Sequence, residues 1–101
     1  MAQERRVVTA VPGPASKALH ERRLAVVSAG VGTSFPLYID RAHDAIVVDV
    51  DGNHFIDLGG GIGVMGAGHT NDAVVAAVQE QVAKLTHTLF TVTPYEPYVR
   101  V

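Results

Sequence analysis

Apolar and polar positions alternate with two periods along this chain, and the change from one to the other divides it. Val75, Val78, Val82 and Leu85 fall at i, i+3, i+7 and i+10, a single stripe of helical spacing. The stripe predicts a helix capped by Asn71, with Asp72 at its positive end, closing at Thr86-His87-Thr88. Glu80 and Lys84 stand four apart in the favourable order on another face. A shallower stripe of Ala15, Ala18, Leu19, Ala25, Val26 and Ala29 predicts an earlier helix, opened by Pro14 and stopped by Gly30. Between the two helices the period shortens. Phe35–Asp40, Ala45–Val50 and His54–Leu58 are rich in β-formers, and Ile46, Val48 and Val50 alternate with Val47, Asp49 and Asp51. Asp51-Gly52-Asn53 is a hairpin signal, so the middle reads as a three-stranded antiparallel meander. Residues 1–13 are polar, end in Val-Pro-Gly-Pro and read as a flexible arm. Pro94 begins a further helical segment that the chain leaves after barely two turns, which points to an N-terminal piece of something longer.

With 101 residues the chain is one domain at most, or a part of one. Apolar residues make up 48% and charged residues 18%, a balance that favours a buried setting in an oligomer or larger fold. The formal charge of −2 and the absence of a basic run exclude nucleic acid and anionic membranes as expected partners. There is no cysteine, hence no disulfide and no thiolate metal site. No apolar run approaches the ~20 residues that span a bilayer, and the N-terminus lacks a signal-peptide core, so a cytoplasmic setting is expected.

Six of the ten glycines lie in "GGGIGVMGAG", residues 59–68, where Gly61, Gly63 and Gly66 spell G-x-G-x-x-G. A dinucleotide loop would need a parallel strand before it, a helix directly after it and an acidic residue about 20 positions on. Here the preceding strand closes a hairpin, the helix opens near Asp72, and Val82-Ala83-Lys84 offers no carboxylate. A Walker-type loop fails too, because no Gly-Lys-Ser/Thr follows. The glycines instead suit an irregular backbone, and Ile62, Val64 and Met65 suit the wall of a pocket or an interface.

The remaining chemistry-bearing residues have plainer readings. His20, His43, His54, His69 and His87 show no metal-binding spacing, so no metal is expected. His69 is placed to order the turn into the following helix, and His87 suits a helix C-terminus. Asp49, Asp51 and Asp57 read as turn and solvent-facing positions, Tyr95 and Tyr98 as packing residues. Lys17 and Lys84 read as solvated surface residues, since a Schiff-base lysine needs a desolvated pocket.

"DVDGNHFIDLGGGIGVMGAGHTNDAVVAAVQEQ" resembles the N-terminal region of class III, pyridoxal-phosphate-dependent aminotransferases. The family pattern is met by Asp49, Asp51, Gly52, Phe55, Ile56, Asp57, Gly61, Ile62, Val64, Gly68 and His69, then by Val75, Val78 and Gln81. "VPGPASKALHERR" and "LTHTLFTVTPYEPYV" resemble more narrowly the family's 4-aminobutyrate branch. The resemblance implies an α+β piece, helix, three-stranded meander, helix, of the α/β fold-type I transferase fold. It implies a dimeric parent enzyme passing an amino group from an ω-amino acid to 2-oxoglutarate through pyridoxal phosphate. Ile62 and Thr91 then belong to the substrate pocket, with Thr91 where some relatives carry glutamine. Relatives usually have proline at Asp72. The family's cofactor lysine, its pyridinium-binding aspartate and its phosphate donors lie beyond Val101, so no catalytic residue and no cofactor binding are expected of this chain alone. Two other readings stay open: an interaction module that docks on a full-length aminotransferase subunit, and a small nucleotide-binding protein.

Overall fold

The computed structural model describes residues 1–101, which fall into two compact units, Met1–Asn71 and Asp72–Val101. In the first unit the order is α1 (Pro14–Val26), β1 (Ile39–His43), β2 (Ile46–Asp49), β3 (His54–Ile56) and one irregular helical turn, α2 (Gly60–Gly63). The second contains α3 (Asp72–Lys84) and the short α4 (Glu96–Val99).

The sheet is antiparallel with order β1-β2-β3, the meander that the alternation predicts. Its core is small: Ile46 and Val48 of the central strand are 1% and 0% exposed. Asp49 departs from the expectation of a solvent-facing carboxylate and is buried at 1%. The reason lies across the turn. Asp49 Oδ1 accepts from the amides of Asp51 (3.0 Å) and Asn53 (2.8 Å), and Oδ2 accepts from Asn53 Nδ2 (2.8 Å). A buried carboxylate with that many donors is satisfied without water.

The first strand also differs from expectation, running from Ile39 to His43 rather than from Phe35 to Asp40. Local β propensity favoured the earlier stretch. Pairing decides instead: the tight turn at Asp44-Ala45 sets His43 opposite Ile46 and Ile39 opposite Asp49, leaving Phe35 and Pro36 beyond the partner strand. Helix α1 ends at Val26, before the predicted Gly30 stop. Val27 is already extended (φ −101°, ψ 134°), as a β-branched pair at 26–27 favours, and its amide bonds the Arg23 carbonyl.

Residues 1–13, read from the sequence as a flexible arm, are hydrogen-bonded to the sheet. Arg6 exchanges both backbone bonds with His54 (3.1 and 2.7 Å). Asn53, wholly buried, accepts from the amides of Val8 (2.8 Å) and Thr9 (3.0 Å) and donates to Thr9 Oγ1. Helix α1 begins with Gly13 in the N-cap position and thus without a capping side chain of its own. Asp51 fills that role from the hairpin turn: Oδ1 accepts from the Ala15 amide (2.7 Å) and Oδ2 from the Ser16 amide (2.9 Å). A Cβ on Gly13 would stand 2.3 Å from the Asp51 carboxyl carbon, so only glycine admits this cap.

The second unit is built differently. Helix α3 carries Val75, Val78 and Val82 of the predicted stripe but ends at Lys84, one residue before Leu85 and short of the predicted Thr86-His87-Thr88 close. On its surface Lys84 Nζ meets Glu80 Oε1 at 2.5 Å. No residue of α3 or α4 is buried, and Val74, Val78 and Val82 are each more than half exposed. Phe90, Tyr95 and Tyr98 gather into an aromatic cluster, with Phe90 4.4 Å from Tyr98 and 5.5 Å from Tyr95 between ring centroids. No helix is long and apolar enough to cross a membrane.

Candidate functional site

The glycine loop leaves β3 at Asp57 and returns at His69. Strand β3 is antiparallel to β2 and α3 begins only at Asp72, so the G-x-G-x-x-G stretch lacks the strand–loop–helix geometry of a dinucleotide site. Gly60, Gly61, Gly63 and Gly68 all take positive φ (52°, 69°, 70° and 78°), a region costly for other residues. Ile62 sits at the kink of α2 (φ −123°, ψ 65°) with its side chain 96% exposed.

One carboxylate organises the loop. Asp57 Oδ1 accepts from the amides of Gly59 (3.1 Å) and Gly60 (2.8 Å), while Oδ2 meets His69 Nε2 at 2.7 Å. The His69 ring first, then the Gly60 amide, hold the Asp57 carboxyl below its ordinary value of 3.8. His69 also exchanges both backbone bonds with Asp44 (2.8 and 2.9 Å), and Thr70 Oγ1 donates to the Ala42 carbonyl. Loop and β-turn together enclose an open hollow of about 500 Å³, bordered by Asp44, Asp57, Met65 and His69. Asp57 therefore is not the free solvent-facing group of the sequence reading. Its pairing with His69 spans 12 residues and leaves no periodic trace in the sequence.

Thr91, the other candidate, lies in the second unit on an exposed turn. The turn closes through the Val92 and Thr93 amides on the Leu89 carbonyl (2.8 and 3.1 Å), with Leu89 at φ 58°. Thr88 Oγ1 donates to the Thr93 carbonyl at 2.7 Å.

A pyridoxal cofactor demands a desolvated lysine for its aldehyde. Lys84 is 65% exposed and paired with Glu80, and Lys17 is exposed on α1. Neither sits in the desolvated pocket that a carbonyl-condensing amine requires, so the residues of this chain do not fit the cofactor's aldehyde end. No group of three or more histidine and acidic side chains converges as a metal site.

Residues 27–101 match the class-III aminotransferase family, and the chain belongs to it. The family is pyridoxal-phosphate-dependent. The chain is 58% identical over 99 residues to the 4-aminobutyrate aminotransferase of Mycobacterium tuberculosis, covering 98% of this chain and 22% of that protein. It is 49% identical over 84 residues to a 5-aminovalerate aminotransferase of Pseudomonas putida, covering 83% and 20%. Among solved structures, acetylornithine aminotransferase from Elizabethkingia anophelis superposes with a TM-score of 0.68 at 26% identity, over 72% of this chain and 19% of that one. The fold is thus an α+β portion of the fold-type I transferase architecture, and the chain spans about a fifth of the length of the relatives it matches.

Proposed function

We propose that this chain is the N-terminal part of an ω-amino acid:2-oxoglutarate aminotransferase, with 4-aminobutyrate as amino donor. The observation that carries this reading is the 58% identity to a 4-aminobutyrate aminotransferase across 98% of the chain. In the assembled enzyme, Ile62 and the Thr91 turn form parts of the substrate pocket wall. An exposed isoleucine on a kinked loop suits the apolar methylene chain of an ω-amino acid. The cofactor supplies the electron sink for amino transfer and is held by residues beyond this chain, which by itself neither binds it nor turns over substrate. The parent works in the cytoplasm as a homodimer, or as an assembly of this segment with a longer aminotransferase chain.

The test is glutamate formation from 2-oxoglutarate by a holoenzyme carrying this sequence, offered 4-aminobutyrate, 5-aminovalerate and N-acetylornithine in turn. The highest kcat/KM is expected with 4-aminobutyrate, and no turnover of either ω-amino acid would refute the assignment. A second reading, a non-catalytic module docking on a full-length aminotransferase subunit, is favoured by the exposed Val74, Val78 and Val82 on α3. Co-purification of the isolated chain with such a subunit would support it, and a soluble monomer indifferent to that subunit would oppose it.

A further inference from the structure

We infer that Asp57 and His69 are positioning residues: together they latch the glycine loop shut at both ends and so fix the direction in which Ile62 meets substrate. The inference rests on the pocket-wall reading of Ile62 given above. Residues 58–68 between them have little intrinsic shape, with six glycines, four of them at positive φ. Packing within this chain does not hold the stretch either, because Leu58, Ile62 and Val64 are 93%, 96% and 74% exposed. Beyond the single turn of α2 (Gly63 and Val64 amides on the Gly59 and Gly60 carbonyls, 2.8 and 3.0 Å) and the Gly68 amide on the Met65 carbonyl (3.0 Å), what remains is the frame at its ends.

Both ends of that frame are anchored to one β-turn. The Asp57 amide bonds the Ala45 carbonyl (2.8 Å), and His69 exchanges bonds with Asp44 (2.8 and 2.9 Å). The side chains then join the two ends to each other at 2.7 Å, while the other Asp57 oxygen reaches two residues and three residues into the loop. The pair is about four-fifths shielded from solvent, at 21% and 19% exposure, which limits competition from water. Closure also needs Gly68, whose φ of 78° and 3.2 Å Cβ approach to Asp44 Cα exclude a side chain. Without the latch, a glycine-rich loop tethered only by backbone regains conformational freedom that each productive encounter with substrate must then remove.

The experiment compares Asp57→Ala, His69→Phe, Asp57→Asn and Ile62→Ala in a holoenzyme carrying this sequence. It combines peptide-resolved hydrogen exchange with steady-state kinetics for 4-aminobutyrate. In Asp57→Ala and His69→Phe, exchange over residues 58–64 should rise about tenfold while the hairpin peptide 46–53 is unchanged. The KM for 4-aminobutyrate should rise about tenfold with kcat within roughly twofold of wild type. Asp57→Asn keeps an acceptor for the glycine amides and a partner for His69, and should restore most of both. Unchanged exchange over 58–64, or faster exchange everywhere, would overturn the latch. Loop exchange that rises while KM stays put, when Ile62→Ala does raise KM, would overturn the positioning role. If Ile62→Ala leaves KM unchanged, the pocket-wall reading itself fails, with the positioning role that depends on it, whatever the exchange data say of the latch.

Discussion

The two units of this chain reach order by opposite means. Residues 1–71 bury little hydrocarbon, essentially Ile46 and Val48, yet bury Asp49, Asn53 and Ser16 beside them. Arm, hairpin and helix are joined by side chains that satisfy backbone amides at a distance. Residues 72–101 have a regular amphipathic helix and an aromatic cluster but bury no residue. The contrast shows that apolar periodicity and an apolar core are separate things. Helix α3 carries the stripe yet buries none of its residues, whereas the hairpin turn carries almost no stripe and holds its unit together through polar contacts.

The largest effect should come from the hub of the first unit. Asn53→Ala leaves one buried Asp49 oxygen without its donor, at about 1–3 kcal/mol, and also removes the acceptor of the part-buried Val8 and Thr9 amides. Urea unfolding of the chain should therefore lose most of its cooperative transition. One substitution made in both units tests the comparison directly. Val48→Ala, at a site 0% exposed, should lower stability by roughly 2–3 kcal/mol, and Val78→Ala, at 59% exposed, by less than about 0.5. A Val78 effect as large as that of Val48 would break the contrast and show that α3 has a buried partner.

Acid should separate the units next. Burial raises the Asp51 carboxyl, but the Ser16 hydroxyl, the Ser16 and Ala15 amides and Lys17 together lower it more, so it stands below 3.8. Asp57 stands below the same value, held chiefly by His69. A carboxyl whose folded value lies below its unfolded one stabilises the fold above the unfolded value and loses that contribution as pH falls through the folded one. Unfolding midpoints of the chain should thus be level above about pH 5 and fall below about pH 4, with Asp51→Asn and Asp57→Asn each flattening the fall. Persistence of the full acid limb in both variants would deny the two carboxylates this role. The smallest effect belongs to the surface pair on α3: Glu80→Gln should leave the urea midpoint unchanged at moderate salt, as a solvent-exposed ion pair is screened.

Much of the framework could be read from residue pattern. The alternation of Ile46 and Val48 with their neighbours, the Asp51-Gly52-Asn53 turn and the stripe from Val75 to Leu85 led to the meander and to α3. Strand β1 lies later than composition predicts, because Phe35–Asp40 has the stronger β composition while the register is governed by the turn at Asp44, held at φ 50°. The site was legible only as a glycine-rich loop with exposed Ile62. That Asp57 pairs with His69, and that Asp51 caps α1, depends on contacts 12 and 36 residues apart, which no local window contains. Three aspartates that look alike as turn residues thus turn out to close a loop, cap a helix and anchor a buried asparagine.

The cap on α1 has a bearing on the order of events during synthesis. Pro14–Val26 emerge from the ribosome ahead of Asp51, and the amides of Ala15 and Ser16 must wait 36 and 35 residues for their acceptor. A helix of 13 residues is marginal on its own in water. The nascent helix therefore remains a fluctuating segment until the hairpin has emerged and turned. The first regular element in the chain is among the last to become permanent, and the interval before Asp51 emerges sets how long it stays open to wrong partners.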